Sequence, residues 1–180
     1  MRRELLHTPE GVRDIYNGEC DKKQRIEQEL HQTFLSFGYH TIQTPTFEFF
    51  DVFNREIGTI PSKDLYKFFD REGNTLVLRP DMTPSIARAA AMYFGEETMP
   101  IRLCYAGNIF INNNSYQGRL KESTQLGAEL IGDDSIEADA EILAMAVECL
   151  KKAGLEKFQI SIGPVSYTHL RAHETRHDIV

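Results

Sequence analysis

Thr75-Leu76-Val77-Leu78-Arg79-Pro80-Asp81-Met82-Thr83-Pro84-Ser85-Ile86-Ala87-Arg88-Ala89-Ala90-Ala91-Met92-Tyr93 passes from a β-rich run through a polar turn into an alanine-rich segment. Leu65-Tyr66-Lys67-Phe68-Phe69 just upstream is a second β-rich run, and Asp70-Arg71-Glu72-Gly73-Asn74 between the two is a polar turn with glycine. Together they predict a hairpin. Thr83 to Tyr93, with Ile86, Ala87, Ala90 and Ala91, predicts a helix. Thr83 is its candidate cap, and Pro84 falls in the first turn, where a missing N–H would have had no helical partner.

Working outward towards the N-terminus, Asp51 to Ile57 can form a short helix, and His40 to Thr46 alternates weakly up to Pro45, as a strand would. Ile26, Leu30, Phe34 and Phe37 recur at helical spacing among charged residues, and Gly38 stops that amphipathic helix. Thr8 to Asp14 is turn-rich and predicts an extended entry segment. Towards the C-terminus, Ile101 to Tyr105 and Asn108 to Ile111 predict two strands, and Asn112-Asn113-Asn114-Ser115 a loop. Leu120, Thr124, Leu126, Ala128 and Leu130 fall on one face of a long strand, because side chains alternate across a sheet. Asp134 and Ser135 can cap a helix carrying Ile136, Ala140, Leu143, Val147 and Leu150, with Gly154 at its end. Phe158 to Ile162 predicts a last strand. Hairpins and long strands mixed with helices do not repeat as regular β-α-β units, so the class is α+β with a mostly antiparallel sheet flanked by helices.

A chain of 180 residues fits one domain or a large fragment of one, and a hydrophobic fraction of 41% suffices for a core. The formal charge of −7 repels phosphate backbones, which argues against tRNA binding by this segment. Cys20, Cys104 and Cys149 stand far apart with no C-x-x-C pair, as expected of free thiols in a reducing cytoplasm. The N-terminus lacks the apolar stretch of a secretion signal, and no apolar run approaches the roughly 18 residues of a membrane helix, so no membrane association is expected.

Residues 164 to 180 read differently. His173-Glu174-Thr175-Arg176-His177 matches the metalloprotease pattern H-E-x-x-H, which needs a third ligand and a substrate cleft to work. Val165-Ser166-Tyr167-Thr168-His169-Leu170-Arg171-Ala172-His173-Glu174-Thr175, however, resembles the conceptual translation of a transposon-based sequencing adapter. We therefore expect a genuine domain over residues 1 to 163, truncated near Gly163, followed by a non-native tail that holds no metal.

Four segments, in order, resemble the histidyl-tRNA synthetase family across essentially all of residues 1 to 163. Thr8-Pro9-Glu10-Gly11-Val12-Arg13-Asp14 is similar to its N-terminal signature, and Gly38 to Glu48 to class II motif 1, the dimer-forming helix and strand. Leu78-Arg79-Pro80-Asp81-Met82-Thr83 is similar to its histidine-binding Arg-Pro-Glu-x-Thr loop, and Asn108 to Gly132 to motif 2 and the strand beyond. The resemblance implies a class II synthetase-like core with a histidine pocket. By position, Asp81 matches the family's Glu at the ligand ammonium and Thr83 the hydroxyl beside it, while Gln125 and Glu129 match the pair on the following strand. The chemistry is apt, since an ammonium and an imidazole are held by charge-assisted bonds to carboxylate and amide oxygens. Gln125 and Glu129 share one face of a strand, and Gly127 between them is expected to leave room for a ligand. The plainer alternative is two polar side chains on a solvated sheet face.

The ATP side departs from the family. Phe110 is followed by Ile111 where synthetases of this class hold the α-phosphate with an Arg, and Asn113 stands where they have a Glu. An Ile cannot neutralise charge developing on phosphate, and losing one such stabiliser costs about 10²–10³ in rate. A synthetase-like chain that keeps a histidine pocket and loses adenylation chemistry resembles the regulatory subunits of ATP phosphoribosyltransferase. Ser62 to Phe69 and Asn112 to Arg119 resemble these more than true synthetases. The resemblance implies a chain with no catalytic residues and no cofactor that forms dimers within a hetero-oligomer. It would join a short-form catalytic subunit in the first step of L-histidine biosynthesis, under feedback by histidine. The alternatives are a fragment of a catalytic histidyl-tRNA synthetase, which Ile111 opposes, and a free-standing histidine-binding module.

Overall fold

The computed structural model describes residues 6–53, 60–95, 99–113 and 119–163. The tail reading falls on 164–180, outside the described residues. The chain opens with an extended segment and a long helix, α1 (Asn17–Ser36), whose Phe34 is buried and which ends before Gly38 at φ +85°. Strand β1 (His40–Thr41) and strand β2 (Phe47–Phe49) follow, then a 3-10 turn over Phe50–Val52 and another over Ser62–Asp64. The hairpin is present as β3 (Lys67–Phe69) and β4 (Thr75–Leu78), with Asp70 accepting from the Asn74 amide across the turn. Helix α2 (Thr83–Tyr93), long strands β5 (Ile101–Phe110) and β6 (Glu122–Ile131), and helix α3 (Ile136–Lys152) complete the order.

Two three-stranded sheets form, in the orders β1-β5-β6 and β2-β4-β3. All pairings are antiparallel except β1 with β5. The large sheet is covered on both faces. On one face α2 sets Met82, Ile86 and Ala90 against Ile101, Leu103 and Tyr105. On the other, Phe34, Tyr39 and Met145 pack on Cys104, with Leu126, Ala128 and Leu130 half-buried beside them. This is the face predicted from the even-numbered positions of the long strand. A third cluster, Phe53, Leu65 and Val77, joins the small sheet to the 3-10 turn. The class is α+β, as the order of elements implied.

Several local expectations are corrected. The two strands predicted at Ile101 to Tyr105 and Asn108 to Ile111 are one, β5, because Gly107 stays extended and pairs with Gln125. The strand expected over His40 to Thr46 is confined to His40–Thr41, since Pro45 offers no N–H and the carbonyls of Thr44, Pro45 and Thr46 accept from Arg79. The helix expected at Asp51 to Ile57 is a 3-10 turn over Phe50–Val52, and 54–59 lie outside the described residues. Phe158 to Ile162 forms no strand, because it finds no pairing partner among the described residues. The residue capping α2 is Met82, not Thr83. Among the described residues no helix is long and apolar enough to cross a membrane.

Candidate functional site

The four residues singled out by the sequence meet at the start of α2 and on the α2-facing side of β6. The Gln125 side-chain amide donates to Asp81 Oδ1 at 3.0 Å, and its Oε1 accepts from the Met82 backbone amide at 3.0 Å. Asp81 Oδ1 also accepts from the Thr83 amide at 3.3 Å, so this carboxylate, not the Thr83 hydroxyl, serves the helix start. Freed from capping, the Thr83 hydroxyl donates to Glu129 Oε1 at 2.8 Å. Thus the turn and the strand are bonded at two places.

Tyr105, which sequence reasoning missed, completes the network. It is 3% exposed, and its hydroxyl donates to Glu129 Oε1 at 3.2 Å and lies 3.5 Å from the Thr83 hydroxyl. Burial, with the charge of Glu129 beside it, pushes the Tyr105 pKa up, so the hydroxyl stays a donor. In the ladder Tyr105 sits opposite Gly127, and a Cβ on Gly127 would collide with the Tyr105 hydroxyl and ring. Gly127 therefore makes room for this ring, not for a ligand, which corrects the expectation. A signal was present in that a glycine between two polar residues of a strand asks for something large opposite. Only the register identifies it as Tyr105.

Each carboxylate is half used. The bonds among the described residues fall on Oδ1 of Asp81 and Oε1 of Glu129, leaving Oδ2 and Oε2 without protein donors. No salt bridge among the described residues involves either group. Two uncompensated carboxylates fixed by neutral donors suit a ligand rich in cationic N–H groups. Beside the site, an open groove of about 1040 Å³ runs along α2 between Phe53, Leu65, Ala87 and Met92, and shares Asp81 and Thr83 with the network. It is mainly apolar and does not include Gln125 or Glu129.

The expected phosphate side lies where β5 ends. The Ile111 amide donates to the Lys121 carbonyl at 2.9 Å, which prolongs the β5–β6 ladder by one residue. Its side chain is half-buried and aliphatic, and the Asn113 Oδ1 is buried with no hydrogen-bond partner among the described residues. Arg119 is exposed, and 114–118 lie outside the described residues. Lys121 is held to the N-terminal signature, its amide donating to the Gly11 carbonyl at 2.6 Å and its aliphatic stem lying against the Gly11 backbone.

The family model for histidyl-tRNA synthetase matches residues 11–174. The ATP phosphoribosyltransferase regulatory subunit of Ruminiclostridium cellulolyticum is 48% identical over 167 residues, 93% of this chain and 40% of that protein. That of Acetivibrio thermocellus is 46% identical over 162 residues, 90% of this chain and 39% of that protein. The chain thus spans about two fifths of the length of the curated relatives it matches. Among solved structures, one described as an ATP phosphoribosyltransferase regulatory subunit/histidyl-tRNA synthetase from Bacillus halodurans superposes with a TM-score of 0.82 at 38% identity. It covers 92% of this chain and 42% of that one. The apo histidyl-tRNA synthetase of S. aureus gives 0.69 at 31% identity, over 83% and 35% of the two chains.

Proposed function

The chain belongs to the histidyl-tRNA synthetase family, and from that premise we propose that it is a regulatory subunit of ATP phosphoribosyltransferase that senses histidine and carries out no aminoacylation. The reading is supported by its similarity to curated regulatory subunits. The observation that carries it is the contrast between the middle of the β5–β6 ribbon and the end where β5 leaves it. In the middle, Asp81, Thr83, Gln125 and Glu129 form a connected acceptor site, to which Tyr105 adds a donor. Past the end of β5, an adenylating enzyme needs fixed cations for the α-phosphate, and this chain offers Ile111 and Asn113. A site that binds an amino acid but cannot activate it is suited to sensing.

The ligand would be L-histidine, with its ammonium and imidazole on Asp81 Oδ2 and Glu129 Oε2. The partner would be a short-form catalytic subunit, which joins ATP to phosphoribosyl pyrophosphate in the cytoplasm. Surfaces for a second copy or for that partner are available: Phe47 and Phe49 are 53% and 57% exposed on one face of β2, with Phe68 packed edge-on against Phe47. The test is a pair of assays on the full-length protein. It should catalyse no histidine-dependent ATP–pyrophosphate exchange, and it should raise phosphoribosyl-ATP formation when added to a short catalytic subunit. Exchange at a rate typical of synthetases would establish the catalytic alternative instead.

A further inference from the structure

Arg79 makes no bond to the acceptor network, yet it stands two residues before Asp81 and is only 6% exposed. Its guanidinium is directed entirely at backbone carbonyls. Nε donates to Asn108 O at 2.8 Å, and Nη1 donates to Thr44 O at 2.9 Å and Pro45 O at 3.1 Å. Its own amide donates to the Thr46 carbonyl at 3.0 Å, and its own carbonyl accepts from the Phe110 amide at 3.0 Å. One residue therefore ties the turn after β4 both to β5 and to the segment entering β2. The guanidinium lies across Gly107, where a Cβ would stand 2.5 Å from Nη2. Gly107 is the ladder partner of Gln125.

We infer that Arg79 is the positioning residue of the ammonium side of the ligand site: it sets the register in which Asp81, on the turn, meets Gln125, on β6, while Tyr105 holds Glu129 independently. The inference rests on the reading of that site as an amino-acid pocket. The physical need is plain. Gln125 and Glu129 are placed by a ten-residue strand paired along its whole length. Asp81 lies on a turn with no ladder of its own, and a site spanning a rigid strand and a turn is only as accurate as the anchor of the turn. Arginine suits the task because its planar fork reaches two segments in fixed directions, whereas a lysine ammonium reaches one point. Glycine at 107 suits it because any side chain there would displace the fork. Positioning of this kind acts on the ligand's ammonium, which faces Asp81, more than on an imidazole held at Glu129.

The test uses full-length protein carrying Arg79→Met, Arg79→Lys or Gly107→Ala, with folding checked by circular dichroism. Two ligands are titrated by calorimetry: L-histidine, and imidazole propionate, which keeps the ring and carboxylate but lacks the ammonium. Arg79→Met should weaken histidine binding about tenfold or more while moving the analogue by less than about twofold, since the lost contact is a charged hydrogen bond at the ammonium. Arg79→Lys should recover part of the loss. Gly107→Ala, which keeps the arginine but displaces it, should mimic Arg79→Met, and it carries the test if Arg79→Met does not fold. A second readout needs no ligand. The Gln125 side-chain amide, held by Asp81, should shift in the nuclear magnetic resonance spectrum of each Arg79 variant towards that of Asp81→Ala. Equal loss of both ligands, or an unchanged Gln125 amide in a folded variant, overturns the positioning role. Wild-type protein that binds neither ligand overturns the pocket itself, whatever the Gln125 amide does.

Discussion

Glu129 carries the strongest single-residue expectation. Its Oε1 is fixed by the hydroxyls of Thr83 and Tyr105, so the carboxylate is oriented before any ligand arrives, and its second oxygen meets no donor among the described residues. Removing a charged hydrogen-bond partner typically costs about 1.5–3 kcal/mol. Glu129→Ala should therefore weaken histidine binding by roughly ten- to a hundredfold, as calorimetry would read it. Under the proposed function, in which this pocket is the histidine sensor, binding and inhibition are linked and the same change should blunt feedback inhibition of the complex with a catalytic subunit. Unaltered binding would mean that histidine is sensed elsewhere. At this scale the sequence was legible where residue type and spacing suffice: Gln125 and Glu129 lie four apart and so face one side of a strand. It was not legible for Tyr105, whose role depends on which residue of another strand lies opposite Gly127.

Among the elements, the two helix starts make an instructive pair. Ser135 caps α3, its hydroxyl accepting from the Ala138 amide at 3.2 Å, with Glu137 and Asp139 in the first turn and Lys151 and Lys152 in the last. That arrangement satisfies an orphan donor and suits the helix dipole. Ser135→Ala should cost about 1 kcal/mol and speed hydrogen exchange at Ala138. An unchanged exchange rate there would show that the cap does not hold the turn. Thr83 reads as an equally good cap, yet the α2 start is served by Asp81 and the Thr83 hydroxyl turns to Glu129. The difference is tertiary. Beyond its own helix, Ser135 is engaged only by its neighbour Asp133 among the described residues, whereas β6 brings a carboxylate distant in sequence within reach of Thr83. β5 makes the same point, since a glycine that suggests a break is simply the place where the Arg79 guanidinium lies.

Across the whole molecule, long-range ion pairs join elements far apart in sequence. Arg102 on β5 grips Glu141 on α3 with two bonds, 2.8 and 2.7 Å long, and Arg88 on α2 holds Glu48 on β2, which is 7% exposed. The Arg102 bond holds the Glu141 pKa below the usual carboxylate range. A carboxylate with a lowered folded pKa stabilises the fold above its unfolded pKa, and that contribution is lost as pH falls through the folded value. The stability gap between wild type and Arg102→Met, measured by urea unfolding, should therefore be full at pH 7. It should narrow as pH falls below about 4.3, the ordinary Glu value. A gap that stays constant into that acid range would show that Arg102 acts through packing alone.

By itself the sequence determined the three long helices, the β3–β4 hairpin, the buried face of β6 and the cap at Ser135. These follow from short-range rules of side-chain period and capping chemistry, whereas the four candidate site residues came from the family resemblance. The tertiary structure alone decided how those parts are spent. It made β5 a single strand and filled the space at Gly127 with Tyr105; among the described residues it gave Phe158 to Ile162 no strand to pair with and brought donors to only one oxygen each of Asp81 and Glu129. The reason is that a backbone ladder or a side-chain hydroxyl takes whichever partner the packed chain brings nearest, and that partner is set by strand register rather than by neighbours in sequence.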